Sequence, residues 1–358
     1  MRTVLDAIRA DSRLNLQIVV TGMHLDKKHG HSLSQLRREM PIDAVVPWKK
    51  TSLAEATGNA IAGLSKAFAS LQPQFVLVVG DRVEALAAAT AAHLSNIAVA
   101  HVHGGDRALG QVDDSLRHAI TKLSHIHFPA TADSARRILK LGEDSWRIHR
   151  VGSPAIDGIR KAAASSRELA QAFVGIAPGK FALLVLHPMA ADEALEFSRA
   201  KLILNATLRA GFKPTVIIYP NNDPGSGGIM RCWEELDGDP RVIIRRDIPR
   251  RLFLGLLRDA AFLVGNSSSG IIEAASFGTP VVDIGPRQLG RERCEDVRNV
   301  PYRQEAVSAA LATIIKDTRP RHGRARNPYQ GSRTGVKIAG ILASASINER
   351  LLRKLISY

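Results

Sequence analysis

Cysteine is nearly absent from this chain. Cys232 and Cys294 are the only two in 358 residues, too few for a disulfide framework or a cysteine metal cluster, and in keeping with a reducing compartment. No apolar run approaches the roughly 20 residues needed to span a bilayer. The opening stretch, MRTVLDAIRADSR, lacks the apolar core of a signal peptide, so a cytoplasmic location with no membrane partner is expected. There is no short internal repeat. Aromatic residues make up only 5% and hydrophobic residues 45%, the balance of an ordinary soluble α/β protein. Acidic residues are outnumbered, 34 against 49 basic, for a net charge of +15. The basic residues are spread along the chain and interleaved with acids. The densest run, Arg319–Lys337, holds Tyr329 as its one aromatic, so nucleic acid is not the expected partner and the surface is read as one that steers anionic substrates.

What is present is organised around one stretch, GNSSSGIIEAASFGTPVVDIGPRQLGRE, Gly265 to Glu292. The apolar run Phe262–Val264 reads as a buried parallel strand. Ser267 or Ser268 can N-cap a helix that runs through Phe277 and carries Glu273. Gly278-Thr279-Pro280 breaks that helix, Val281-Val282 starts another strand, and a loop follows with Arg287, Gln288 and Arg291. Unpaired N–H groups at a helix start, serine hydroxyls and a forked guanidinium suit a phosphate, and Glu273 suits two sugar hydroxyls. The residue types fit a nucleotide diphosphate. The same spacing also describes a plain βαβ unit with a capped helix.

Along the chain, strands are expected at Gln17–Thr21, Phe75–Val79, Ile97–His101, Ile126–Phe128 and Arg150-Val151-Gly152, with helices at Leu53–Leu71, Val83–Leu94, Asp114–Lys122 and Ala132–Leu141. Residues 160–180 read as a helical linker. A second alternation has strands at Phe181–Leu186, Thr215–Tyr219 and Val242–Arg245, and a closing helix covers Val336–Ile356. This predicts two Rossmann-like α/β domains facing a cleft, 1–165 and 166–335, followed by a C-terminal helix, 336–358. Met1–Ala10 has the pattern of the second half of a helix, so the first domain is expected to lack its N-terminal strand, and Met1 to follow a segment that the sequence does not contain.

Candidate chemistry gathers at strand tips. Asp81 and Arg82 follow a strand; taken alone they read first as a helix N-cap aspartate with a solvated arginine. His101, His103 and Asp106 surround two glycines without the supporting ligands that a metal site needs. Asp113 opens a helix that also carries Arg117 and His118, and it too can be an N-cap. His125 and His127 can simply be packed. His187-Pro188 and Pro220-Asn221-Asn222-Asp223 sit at tips in the second half.

Together HVHGGD (101–106), DDSLRHAITKLSHIHF (113–128), LHP (186–188), YPNND (219–223), GNSSSGIIEAASFGTPVV (265–282) and GPRQLGRE (285–292) resemble the UDP-N-acetylglucosamine 2-epimerase family, from about Met1 to beyond Val300. Gly80-Asp81-Arg82 and RHAITKLSH are more similar to its hydrolysing branch. That branch releases free N-acetylmannosamine, or a diacetamido-trideoxy analogue, for sialic or legionaminic acid synthesis. The resemblance implies the two-domain glycosyltransferase-B fold, no metal or other cofactor, a UDP-sugar substrate and a homo-oligomer, dimer or tetramer. It places UDP on Ser267, Ser268, Glu273 and Arg287, with His187, Asn221 and Arg82 nearby. Asp81, Asp113 and Arg117 go to the catalytic end, and His187 helps to stabilise the leaving diphosphate.

Two departures stand out. His103 occupies a position where the family usually has a carboxylate, which leaves the acid/base assignment open between His103 and the nearby Asp106. The family also opens with a strand and a nucleotide-touching loop, and this sequence begins inside the helix that follows. A non-hydrolysing epimerase, a glycosyltransferase, or a UDP-sugar-binding protein without turnover are the competing readings.

Overall fold

The computed structural model describes residues 1–25, 33–49, 51–107, 113–221, 223–317 and 326–357. The chain divides into two α/β units. The first takes Met1–Arg107, continues to Asp157 and is completed from Gly331 onward; the second is Gly158–Gln330. The first unit contains α1 (Arg2–Ala10), β1 (Val19–Val20), α2 (Leu33–Glu39), β2 (Ala44–Val45), α3 (Leu53–Leu71), β3 (Phe75–Val79), α4 (Val83–Leu94), β4 (Ala98–Val102), α5 (Asp113–Leu123), β5 (Ile126–Phe128) and α6 (Ala132–Lys140). The second contains α7 (Ile159–Ala162), α8 (Ser166–Ala172), β6 (Ala182–Val185), α9 (Glu193–Arg209), β7 (Thr215–Ile218), α10 (Ser226–Glu234), β8 (Val242–Arg245), α11 (Arg250–Asp259), β9 (Phe262–Gly265), α12 (Ser268–Ile272), β10 (Val281–Ile284), β11 (Val297–Val300) and α13 (Gln304–Lys316). The chain then returns to the first unit as α14 (Thr334–Ser344) and α15 (Glu349–Leu352).

Every strand pair is parallel, as apolar runs alternating with helices require. In the first unit β1 pairs with β2, and β3, β4 and β5 form a separate sheet. Ala60, Leu64 and Phe68 of α3 and Ala87 and Ala91 of α4 pack with Val78 and Val99 in one cluster. In another, Val4 and Ile8 of α1 and Ile338, Ala339 and Leu342 of α14 pack with Ala98, Ala100, Val102 and Phe128. The strand burial therefore shows two covered faces.

In the second unit the strand order is β11-β10-β9-β6-β7-β8. Connections run outward one way from β6 and the other way from β9, so the topology reverses between these two strands. The carboxyl ends at such a reversal are where open α/β sheets bind ligands. The core under this sheet includes Leu184, Leu186, Ile203, Ile217, Trp233, Phe262, Val264 and Val282.

Several expectations change in detail. The strand expected at Arg150-Val151-Gly152 is absent. His127 and Ile148 form an isolated bridge, and Val151 N–H reaches Pro129 O at 3.3 Å, but Pro129 has no N–H with which to continue a ladder. The closing helix is two pieces: Ala345 turns extended, and Asn348 caps a new start by accepting from Leu351 N–H at 3.0 Å. The unit boundary falls after Asp157 rather than at 165, because Ala164 N–H donates to Arg251 O at 2.9 Å and α7 packs against α11. No helix among the described residues is long and apolar enough to cross a membrane.

The sheet of the first unit holds neutral histidines. Burial draws His101 down to about 3, and His125 and His127 to about 4. His125 Nδ1 accepts Val99 N–H at 2.9 Å, which holds that ring in its neutral form. Because these folded pKa values lie below the ordinary 6.5, the unfolded chain binds more protons under pH 6.5. Stability is full above that value and falls as pH drops towards 4, by about 1.4 kcal/mol per pH unit for each such ring. Urea titrations at pH 7.0 and 4.5 should show a large fall in midpoint; equal midpoints would contradict this.

Candidate active site

In the second unit the site grows from the end of β9. Gly265 has φ 138°, and a Cβ there would meet Val185 O at 1.8 Å, so only glycine lets β9 end against β6. Asn266 follows, fully buried. Its backbone N–H donates to Val185 O at 3.2 Å. Its side chain accepts His187 N–H and donates to His187 O, both at 2.8 Å. Its own carbonyl accepts Gln288 Nε2 at 2.9 Å and Arg287 Nη1 at 3.4 Å. One asparagine thus fixes the tip of β6 and the basic loop after β10.

His187 Nδ1 accepts Asn221 N–H at 3.1 Å. Burial, helped by the Arg287 charge, pulls its pKa down to about 4. The ring is therefore neutral at pH 7, with its proton on Nε2 as a donor. Arg287 is itself buried and lies 3.9 Å from Asp223. Ser267 caps α12 by accepting Ser269 N–H at 3.4 Å, and Ser268 is the first helical residue. The helix expected through Phe277 stops at Ile272 and gives way to a tighter turn over Ala274–Ser276. Asn327 explains the break by donating to Ile272 O and to Ser276 Oγ, both at 2.9 Å. Glu273 lies at this break, buried, with one carboxylate oxygen 2.7 Å from Arg250 Nη2. Its other oxygen is buried with no hydrogen-bond partner among the described residues, an acceptor suited to a ligand hydroxyl.

Two supporting carboxylates were not foreseen. Glu196 on α9 accepts Met189 N–H at 3.1 Å, Ala190 N–H at 3.0 Å and Arg199 Nη1 at 2.6 Å, which holds the loop after His187-Pro188. Asp283 in β10 accepts Arg293 Nη1 at 3.1 Å, while Arg293 Nη2 donates to Gln288 O at 2.8 Å. The sequence signal for Asp283 was a carboxylate inside an apolar strand. Glu196, on a helix of mixed residues, left none.

In the first unit the candidates meet at the ends of β3 and β4. Arg117 of α5 is 2% exposed, yet it holds several partners at once. Its Nη1 donates to Asp106 O at 2.8 Å and to Asp114 Oδ1 at 2.6 Å, and its Nη2 pairs closely with the Asp81 carboxylate. Asp81 is therefore not the cap of α4. That position belongs to Arg82, whose exposed side chain pairs with Glu84 at 3.2 Å.

His103 sits in the left-handed region at φ 65°. Its Nδ1 lies 2.8 Å from Asp106 Oδ2 and its Nε2 2.9 Å from Ser153 Oγ. Ser153 Oγ also accepts Ala155 N–H at 3.2 Å, so its hydroxyl proton is free to serve His103. The bonds then run from serine to histidine to aspartate. Ser134 Oγ donates to the other Asp106 oxygen at 2.8 Å. Gly105 is required here, since a Cβ would meet Ser134 O at 2.2 Å. The sequence missed Asp114, Ser134 and Ser153. Asp114 adjoins the expected Asp113, which opens α5 with its side chain outside the described set, as Asn222 is entirely. Among the described residues no three His, Cys, Asp or Glu side chains gather as a metal site.

The profile of a protein family described as UDP-N-acetylglucosamine 2-epimerase matches residues 6–343. A Legionella pneumophila protein, "UDP-N,N'-diacetylbacillosamine 2-epimerase (hydrolyzing)", is 34% identical over 366 residues, covering 100% of this chain and 96% of its own. A Campylobacter jejuni protein, "GDP/UDP-N,N'-diacetylbacillosamine 2-epimerase (hydrolyzing)", is 29% identical over 310 residues, 83% of this chain and 79% of its own. Among solved structures, a Neisseria meningitidis UDP-GlcNAc 2-epimerase bound to UDP-GlcNAc superposes with a TM-score of 0.83 at 20% identity, covering 96% of this chain and 95% of that one.

The position of Asn266 yields a stability test. Asn266→Ala strands the main-chain N–H and O of His187 in a largely buried place and should lower the unfolding free energy by about 1–3 kcal/mol. Chemical denaturation measures this, and a change within experimental error would mean that the β6 tip is held by other means.

Proposed function

The chain belongs to the UDP-N-acetylglucosamine 2-epimerase family, and from that premise we propose that it is a hydrolysing 2-epimerase, which converts a UDP-2-acetamido sugar and water to UDP and the free 2-epimeric sugar. The observation that carries the reading is the division of chemistry between the units. A neutral histidine, a buried arginine and an under-used carboxylate surround the strand reversal of the second unit. A carboxylate network built on Arg117 and His103 occupies the first. The Legionella and Campylobacter relatives carry the word hydrolyzing in their names, which supports the choice of branch.

In this reading the second unit holds UDP. Arg287 and the Nε2–H of His187 neutralise the diphosphate, the hydroxyls of Ser267 and Ser268 add donors, and Glu273 accepts from ribose hydroxyls. Asn221 sets the tautomer of His187. The first unit handles protons. A base removes H-2 of the sugar while the C1–O bond to UDP breaks, giving a C1=C2 glycal and free UDP. Charge on the leaving diphosphate is met by donors already fixed in place. Water then adds hydroxyl to C1, and a proton returns to C2 on the opposite face, which inverts that centre. Proton transfer falls to Asp106 and Asp113, with His103 hydrogen-bonded to Asp106 and Asp81 held beside them by Arg117.

The test is product analysis. The chain is incubated separately with UDP-N-acetylglucosamine and with a UDP-2,4-diacetamido-trideoxyhexose, in the presence of chelator. Free 2-epimeric sugar and UDP in equal amounts are expected from one of them without added metal. A UDP-linked epimer with no free sugar would instead establish the non-hydrolysing reaction.

Variants should separate the two tasks. Arg287→Ala should weaken UDP binding by about 1.5–3 kcal/mol, the range for a hydrogen bond to a charged group. Asp106→Asn should keep UDP affinity in calorimetry and lose turnover by about 10²–10⁴-fold, the usual contribution of a positioned acid or base. Equal UDP affinity in wild type and Arg287→Ala, or near-normal turnover in Asp106→Asn, would remove that residue from its assigned role.

A further inference from the structure

Helix α5 carries Arg117, and its far end is closed by a residue from the C-terminal part of the chain. The last carbonyls of a helix have no partners within it. Here Lys354 Nζ lies 3.3 Å from Thr121 O, 2.8 Å from Lys122 O and 2.5 Å from Ser124 O. A cation at this end also complements the helix dipole. The lysine side chain is only 10% exposed and is 2.7 Å from the buried Glu143 carboxylate. Glu143 takes two further bonds, from Lys122 at 2.7 Å and His127 at 3.0 Å. Burial works to raise its pKa, but these bonds prevail and hold it at about 2, so it stays charged. Burial draws Lys354 down to about 8, which leaves the ammonium protonated at neutral pH.

The segment that delivers Lys354 is itself fastened. Arg147 is fully engaged beneath it, donating to Leu351 O and Arg350 O at 2.8 Å and to Arg353 O at 3.3 Å. Ser357 N–H donates to Gly142 O at 3.0 Å. From the end of α5 two routes lead to Asp81. Along the helix, Thr121 Oγ donates to Arg117 O at 3.0 Å, and Arg117 pairs with Asp81. Sideways, Thr121 Oγ lies 3.3 Å from His101 Nδ1, and His101 Nε2–H donates at 2.7 Å to the carbonyl of Gly80, the residue before Asp81.

We infer that Lys354 is a positioning residue for the reaction: by closing the last turn of α5 it fixes the place at which Arg117 holds Asp81. It touches no substrate. The inference rests on the reading of the first unit as the proton-transfer side.

The experiment compares full-length Lys354→Met and Lys354→Arg with wild type in steady-state kinetics, UDP calorimetry and amide hydrogen exchange. Lys354→Met should lower kcat by about 10–100-fold, the scale of a displacement near 1 Å in a reacting group, with KM and UDP affinity unchanged. Exchange should quicken in residues 117–124, and Lys354→Arg should recover most of the rate. Unchanged kcat in Lys354→Met would overturn the inference. So would a loss of kcat, UDP affinity and exchange protection together that arginine does not rescue, since that marks a general role in stability. If wild type itself releases no free sugar, the proposed reaction is what fails. Exchange then decides the clamp alone: quickening confined to α5 in Lys354→Met supports it, and unchanged protection of α5 overturns it.

Discussion

Asn266 bridges the two strand ends between which the second sheet reverses. Side-by-side parallel strands whose connections depart in opposite directions leave their carboxyl ends uncovered, with main-chain groups that need partners. Asn266 supplies them from one fully buried side chain, and its carbonyl also gathers the arginine and glutamine of the following loop. Gly265 is its precondition, because any side chain there would collide with β6. The placement of His187, whose main chain Asn266 holds, and the setting of Arg287 both follow from this junction. A buried amide suits the task because it donates and accepts without burying a charge.

The two units solve opposite electrostatic problems. The second sets a buried guanidinium beside an imidazole that burial keeps neutral. The first must keep several carboxylates close together. Arg117 makes that possible by offering its forked donors to Asp81 and Asp114 while also binding the backbone of Asp106. Removing that one cation would leave carboxylates facing one another in a partly dry place, where like charges resist joint ionisation.

Much of this was legible in the sequence. Leu53–Leu71, Phe75–Val79, Val83–Leu94, Ile126–Phe128 and Val242–Arg245 fall where the apolar spacing puts them, because local pattern and tertiary burial agree there. What failed depended on distant partners. The break in α12 comes from Asn327, more than fifty residues away in sequence. The missing strand at 150–152 comes from the lack of a donor at Pro129. β11, with two exposed positions at the sheet edge, offers no apolar run to read. At the candidate site, tip residues such as Asp81, His103 and His187 are legible as candidates because strand ends are where such sheets bind ligands. Glu196, Ser134 and Ser153 could not, since nothing local distinguishes a serine or glutamate that serves a remote backbone. Asp81 shows the limit plainly: taken alone in the sequence it reads first as a helix cap, and only its pairing with Arg117, far away in the chain, removes that reading.

The first unit is discontinuous, and this bears on how the protein is made. Val4 and Ile8 share a cluster with Ile338, Ala339 and Leu342, so α1 waits for α14, made much later in synthesis, before that core can close. The second unit is one unbroken span, Gly158–Gln330, and can settle while the remainder is still being translated. During that interval the apolar faces of α1 and of β4 stand open, a period when a nascent chain is most exposed to aggregation or to chaperone capture. Late stalling or premature termination should therefore yield a species with its second unit formed and its first unsealed, and quality control would act on the first.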